Sequence, residues 1–189
     1  KNEQYKAEAR RKHLKKNIAS IEEFYFTLEM KIKIHECDSF ALTRAVQLIQ
    51  KTNQFNLTTR RYSESDIEGF CNSDYHHIYT MSVSDKYGDF GIVGILITQV
   101  LKNDWLIDTF LLSCRIIGRD LETAFLSYVL EEARKYSAKR LIGKYIPTLK
   151  NKQVSDLYSK YAFTKVNGEF FLNTDKVILF PSWIELIKE

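Results

Sequence analysis

Asp108 stands in the middle of "WLIDTFLL", a carboxylate inside an otherwise apolar run. Such a group is either paired with a cation or held with a raised pKa as a general base. Cys114 closes the same region just before a helix. A thiol there is either inert packing or a nucleophile whose pKa the helix N-terminus lowers. His76 and His77 are adjacent in "HHIYTMSVSD", and adjacent strand residues point to opposite faces, so they do not form a shared metal site. Cys37, Cys71 and Cys114 are odd in number, widely spaced and free of any CxxC pair, which gives neither a disulfide framework nor a zinc site. No metal is expected. The stretch "QKTNQFNLTTRRYS", residues 50–63, is dense in amides, hydroxyls and arginines, yet it holds no Gly or Pro.

These groups need elements to position them. The chain opens with a charged helical leader, and "SIEEFYF" offers a capping box, with Ser20 at the N-cap and Glu23 three residues on. "LEMKIKIH" alternates strictly and predicts a half-buried strand. Leu42, Ala45, Val46 and Ile49 share a helical face over residues 39 to 51, and "SESDIEGF" reads as a second short helix. "HHIYTMSVSD", "FGIVGILITQVL" and "WLIDTFLLSC" are strand-like, and the short turns near "KYGD" and "KND" make them an antiparallel meander. Leu121, Ala124, Phe125, Tyr128 and Val129 mark a strong helix. "RLIGKYI" follows as a strand, "KNKQVSDLYSKY" as a helix, and "EFFL" and "VILF" as strands. This order predicts an α/β (α+β) fold with one central, mostly antiparallel sheet flanked by helices.

Composition sets the bounds. At 189 residues and 44% hydrophobic side chains, one core can be buried well and two would be a squeeze. The longest apolar run, "GIVGILI", is too short to cross a bilayer, and the N-terminus is charged where a secretory signal is apolar. The reading is a cytoplasmic protein with no membrane partner. The net charge of +4 is concentrated in residues 1–16, which hold seven Lys/Arg against two Asp/Glu, so the remainder is about −1. A basic leader with a neutral body argues against a nucleic-acid partner.

The order of elements resembles the GNAT acyltransferase fold, and two local signatures carry the resemblance. At "LLSCRIIGRDLETAFL", Arg115, Gly118 and Asp120 occupy the positions of the family's Arg/Gln-x-x-Gly-x-Gly/Ala turn. The resemblance implies that Leu112, Ser113, Arg115, Ile117, Gly118, Arg119 and Asp120 hold acyl-CoA, the loop amides and helix dipole gripping the pyrophosphate. Asp120 departs from the pattern. A carboxylate about 7 Å from the pyrophosphate costs about 2 kcal/mol at an effective dielectric near 20; otherwise Asp120 is a helix cap. In "NKQVSDLYSKYAF", Asn151, Val154, Leu157, Tyr158 and Phe163 match the second signature, with Ala162 where the family has Gly. The resemblance implies that Asn151 contacts the cofactor and that Tyr158 protonates the departing thiolate, against a reading of Tyr158 as helix packing.

Longer words, "LIQKTNQFNLTTRRYS", "YGDFGIVG" and "GKYIPTLKNKQVSDLYSKYAF", resemble the C-terminal GNAT-like domain of FkbH-like proteins. Residues 1–27 then resemble the helical connector that follows their N-terminal HAD-type domain, and residues 28–189 the GNAT-like domain itself. FkbH-like proteins are associated with loading a glyceryl unit onto an acyl carrier protein. The implied ligand is acyl-CoA or a carrier-bound phosphopantetheine, which lacks the pyrophosphate that Asp120 disfavours. The implied partners are an acyl carrier protein and an upstream HAD-type domain. In this frame Asn53, Asn56, Thr58, Thr59, Arg60 and Arg61 line an acceptor pocket, Arg60 or Arg61 gripping an anion, or else they form a self-satisfied polar loop. Asp108 is then the candidate base, and Cys114 an acyl relay or simple packing. The expected activity is an acyl transfer; the alternative is a non-catalytic module that docks the carrier for the HAD domain.

Overall fold

The computed structural model describes residues 2–188. Helices α1 (Asn2–Asn17) and α2 (Ile21–Leu28) lead into strand β1 (Met30–Glu36). Ser20 caps α2 by accepting from the Glu23 amide, and Glu29 ends it in the left-handed region, φ 52. The strand expected from residue 28 therefore begins at Met30, because Leu28 still belongs to the helix. Next come α3 (Ser39–Lys51), the two-residue strand β2 (Phe55–Asn56) and α4 (Glu64–Cys71). A full capping box built by Ser63 and Asp66 starts α4. The meander is β3 (His76–Asp85), β4 (Gly88–Leu101) and β5 (Asp104–Leu112). Helix α5 (Leu121–Lys135) crosses over to β6 (Arg140–Gly143), followed by the four-residue α6 (Leu157–Lys160), β7 (Thr164–Val166), β8 (Glu169–Asn173) and β9 (Ile184–Leu186).

The tail differs from expectation. "VILF" forms no strand; its Ile178 carbonyl instead accepts from Ser127 of α5 at 2.8 Å. The final strand is β9, which pairs in parallel with β1. The helix expected over "KNKQVSDLYSKY" is only a 3-10 turn at Lys152–Val154 followed by α6.

One sheet joins everything in the order β7-β8-β6-β5-β4-β3-β1-β9, with β2 added on β5. Among the described residues only β5–β6 and β1–β9 are parallel, so the sheet is mostly antiparallel, as the pattern predicted. Its faces bury two cores. Helix α5 puts Leu121, Phe125 and Val129 against Trp105, Phe110 and Leu112 on one side, together with Phe24 and Leu28 of α2. Helices α3 and α4 put Leu42, Ile49 and Ile67 against Ile78, Ile95, Ile97 and Leu111 on the other. Each fully buried large side chain contributes about 1.5–3 kcal/mol. The edge-on contact of Phe110 with Phe125, centroids 5.9 Å apart at 89°, fixes α5 over the middle of β5.

The leader is not a detached arm. Arg11 of α1 grips the Asp85 carboxylate with two hydrogen bonds of 2.7 Å, and Arg119 reaches the same carboxylate at 3.4 Å. Phe90 lies under both guanidinium groups, 4.4 Å from Arg11 and 4.7 Å from Arg119. The Asp85 carboxylate is fully buried. A buried carboxylate requires such cations to stay charged.

Candidate active site

Strand β5 changes partners at Asp108. Below it, Asp104 to Ile107 pair with Arg140 to Gly143 of β6. Against β4, Ile107 faces Thr98 and Thr109 faces Ile97, so Asp108 is the extra residue of a β-bulge. A bulge shifts side-chain alternation by one: Trp105 and Ile107 face the α5 core below it, Phe110 and Leu112 face the same core above it. The sheet therefore splits at Asp108, and β6 leaves the edge of β5 at that level.

The Asp108 carboxylate is only 7% exposed. It forms an ion pair with Arg60, accepts from the Tyr62 hydroxyl at 2.8 Å, and accepts from Thr109 Oγ1 at 3.0 Å. Of the two readings open to it from sequence, the structure displays the paired one. The hydrogen bond with Tyr62 and the charge of Asp108 raise the Arg60 pKa, against burial, which lowers it. Burial, aided by the bond to Asp108, raises the Tyr62 phenol. Tyr62 packs edge-on to Phe70, and Phe70 stacks on His76 at 4.4 Å. Burial lowers the His76 pKa, and the charge of Asp108 opposes the shift in part. His77 points the other way, toward Glu36 and Trp105. Among the described residues no group of His, Cys, Asp and Glu could hold a metal ion.

The wedge above Asp108 is filled by the polar stretch. Phe55 and Asn56 pair with Leu112 and Leu111, and the Leu57 amide donates to the Phe110 carbonyl at 3.1 Å. Thr58 donates to the Asp108 carbonyl at 2.9 Å. On the far side the Ile146 amide donates to the Leu57 carbonyl at 2.8 Å. The chain itself thus occupies the free edge of β5 between residues 108 and 112.

The other polar residues of this stretch bond mainly within it. Asn56, fully buried, donates to the Thr52 carbonyl and accepts from the Thr59 amide. Thr59 has φ 52. Arg61 donates to the carbonyls of Ile49 and Thr52 and to Asn53 Oδ1, while Asn53 donates to the Lys51 carbonyl. Arg61 and the two asparagines thereby close the C-terminal end of α3, a cap made by side chains of the segment that follows the helix. Arg60 is the member that reaches a carboxylate.

Asn151 and Tyr158 flank the same wedge. Asn151 is fully buried and uses every polar atom of its side chain: Nδ2 donates to the carbonyls of Asn56 and Ile146, and Oδ1 accepts from the Thr148 amide and the Tyr145 hydroxyl. Tyr158 packs over Gly143, where a Cβ would come within 2.5 Å of its ring. No group meets its buried hydroxyl at full hydrogen-bond geometry; burial raises its pKa strongly, and the Lys144 amide, close enough to act on it, works in the opposite direction. The charge of Asp108 adds to that rise. Both candidate groups therefore lie within electrostatic reach of one another at the split.

The loop after β5 is built differently from an open anion cradle. Leu112 is held between Phe55 and Gly94, and the Ser113 amide donates to Val93 at 2.7 Å. Cys114 and Arg115 are exposed in a 3-10 turn, with Arg115 donating to the Phe90 carbonyl. Ile117 is half-buried. Gly118, at φ 77, takes a backbone conformation that side chains disfavour, and its carbonyl accepts from Tyr25 at 2.8 Å. Arg119 faces Asp85 rather than the loop. Asp120 also lies in the left-handed region, φ 62, and accepts from the Thr123 hydroxyl instead of a helix amide, so it is not an ordinary cap.

Sequence reading missed Glu122 in the first turn of α5. One of its carboxylate oxygens is buried without a partner, and burial raises its pKa, with the charge of Asp120 adding to the rise. Burial raises the Asp120 carboxyl too. Two carboxylates thus crowd the first turn of α5. The signal was present, since "RDLETAF" places both within one turn. Asp85, Tyr62 and Tyr145 were also missed; Tyr62 could have been found beside Arg60, but nothing local marks Asp85 or Tyr145.

Two cavities lie away from Asp108 and Tyr158. One, about 830 Å³, runs between α1 and the β3–β4 turn and is bordered by Glu8, Phe90, Cys114 and Arg115. The other, about 680 Å³, lies at the opposite end of the sheet by Leu101, Arg140 and Thr174. No helix among the described residues is long and apolar enough to cross a membrane.

No protein-family model matches the sequence, and no curated protein matches it. Solved structures do. The chain is similar to the ribosomal-protein-S18-alanine N-acetyltransferase from Escherichia coli, at TM-score 0.52 and 14% identity over 75% of this chain and 90% of that one. A GNAT-family acetyltransferase from Staphylococcus aureus Mu50 aligns at TM-score 0.58 and 13% identity, over 76% of this chain and 99% of that one. N-acetylglutamate synthase from Neisseria gonorrhoeae, solved with coenzyme A and N-acetyl-glutamate, aligns at TM-score 0.55 and 12% identity, over 72% of this chain and 29% of that one. The fold is that of the GNAT acetyltransferases.

Proposed function

We propose that this chain is a GNAT-type acyl-transfer domain that receives the phosphopantetheine arm of an acyl carrier protein in preference to free acyl-CoA. The observation that carries this reading is the pair of desolvated carboxylates, Asp120 and Glu122, at the N-terminus of α5. The dipole there favours anions, yet a pyrophosphate would meet these charges, while Arg119 is engaged by Asp85. A carrier-borne arm brings no adenosine pyrophosphate to that turn. The likeness to FkbH-like proteins supports a glyceryl or similar three-carbon acyl unit and an upstream HAD-type domain as the source of the loaded precursor.

In transfer, the acceptor's nucleophile attacks the thioester carbonyl, the carbon–sulfur bond breaks, and the departing thiolate takes the Tyr158 proton. The acceptor's own proton then restores the phenol. Burial holds the Tyr158 proton firmly, and no side chain of the protein engages its hydroxyl, which leaves the proton for donation to a thioester sulfur. Asp108 has its oxygens engaged by Arg60, Tyr62 and Thr109, so it orients Arg60 and Tyr62 toward the acceptor. Access along β5 requires the Phe55–Thr58 segment to leave that edge.

A second reading, a non-catalytic docking module for the carrier, is favoured by one observation: β2 already pairs with the edge an arm would use. Calorimetric titration with acetyl-CoA and, separately, with phosphopantetheine-charged carrier protein tests both, followed by a transfer assay. Carrier binding with transfer that Tyr158→Phe abolishes supports the first reading. Carrier binding without transfer supports the second. Micromolar binding of acetyl-CoA alone overturns the carrier preference.

A further inference from the structure

The loop that follows β6 is pinned yet displays apolar side chains. Asn151 ties it down by accepting from the Thr148 amide at 2.8 Å and donating to the Ile146 carbonyl at 3.0 Å, and Thr148 Oγ1 accepts in turn from the amides of Lys150 and Asn151. Despite this order Leu149 is completely exposed and Ile146 is 42% exposed. A fixed loop presenting a leucine to water is preorganised for contact, because little further entropy is lost when a partner covers it.

The unpaired charge on this loop is positive. Lys150 and Lys152 are exposed and form no ion pair among the described residues. Lys144 pairs with Glu169, and Arg60 and Arg61 lie on the segment that the loop is bonded to through Leu57. The nearest exposed acid in sequence, Asp156, is already paired with Lys160. The loop also borders the wedge itself, since Ile146 bonds Leu57 and Asn151 bonds Asn56.

We propose that Ile146 and Leu149, rimmed by Lys150 and Lys152, form the docking surface for the carrier protein, which presents an acidic face with an apolar centre. This rests on the carrier reading above and adds where the carrier lands. A partner seated here would place its arm beside the wedge that Tyr158 and Asp108 border, and contact at Ile146 would bear directly on the Leu57 bond that helps keep the wedge shut.

The test is binding of phosphopantetheine-bearing acyl carrier protein to the whole chain, by biolayer interferometry at low and high salt. The variants are Leu149→Asp, the pair Lys150→Glu and Lys152→Glu, and Leu179→Asp as a control at a leucine that is 81% exposed elsewhere. Circular dichroism melting confirms folding of each. The expected result is at least about tenfold weaker binding for Leu149→Asp and for the lysine pair, with wild-type binding that weakens in salt, and no change for Leu179→Asp. Wild-type binding that all variants retain overturns the docking surface and leaves the carrier reading standing. No wild-type binding at either salt overturns the carrier reading and the surface with it.

Discussion

The side-chain amide of Asn151 donates to the main-chain carbonyl of Asn56 at 2.9 Å, joining residues 95 apart in the chain across the split in the sheet. With its bonds to Ile146, Thr148 and Tyr145 it closes the wedge from the β6 side. Asn151→Ala leaves buried carbonyls and an amide without partners, at about 1–3 kcal/mol for each group left unsatisfied. We expect a loss of about 2–4 kcal/mol in urea unfolding. Asn151→Asp should restore little of it, because the carboxylate keeps the acceptor but loses both donors.

Tyr158 gives the opposite sign for stability. Its hydroxyl is buried and unpartnered, so Tyr158→Phe keeps the ring and removes an unsatisfied group. The variant should gain about 1 kcal/mol in thermal or urea unfolding while losing about 10²–10⁴-fold in transfer rate. A variant that is less stable than wild type would mean the hydroxyl has a partner. Gly143→Ala probes the same contact by overpacking, since its Cβ would fall 2.5 Å from the ring, and should cost about 1–3 kcal/mol.

Glu122 predicts a pH dependence. Its carboxyl is raised above its ordinary value of 4.5 by burial and by Asp120, so the folded chain binds this proton more tightly than the unfolded chain. Stability from this group is present below 4.5 and lost as pH rises through the raised folded value. Glu122→Gln should therefore be more stable than wild type at neutral pH, with the difference closing as pH falls below about 4.5. Urea midpoints measured across that range check the sign. The same substitution combined with Asp120→Asn should tighten binding of acetyl-CoA by removing both charges from the turn.

Arg11 tests whether the leader belongs to the domain. Arg11→Ala leaves the fully buried Asp85 carboxylate with Arg119 at 3.4 Å and the Tyr87 amide at 2.9 Å. Removing one cation from a buried pair costs about 3–5 kcal/mol when nothing replaces it; with Arg119 retained, the expected loss is about 2–3 kcal/mol. Deletion of α1 should produce a similar loss, and no change in melting in either case would show that the leader is dispensable to the fold.

Much of the architecture was legible because periodicity is local. The alternation in "LEMKIKIH", the meander of β3 to β5 and the apolar stripe of α5 follow from side chains that each element must bury on one face. The same locality explains the misses. "VILF" is apolar enough for a strand, yet tertiary packing seats Ile178 against α5 and leaves Val177 and Leu179 exposed. The residue types of the candidate site were also visible: a carboxylate in an apolar strand, a tyrosine in a helical signature, a polar stretch after α3. Their partners were not. That Asp108 is a bulge residue where β5 changes neighbours, that Phe55–Thr58 occupies the edge so exposed, and that Arg119 turns to Asp85 all depend on groups brought together from distant positions. Hydrogen bonds and ion pairs of this kind have no sequence period; the register of the sheet and the closure of the wedge select them.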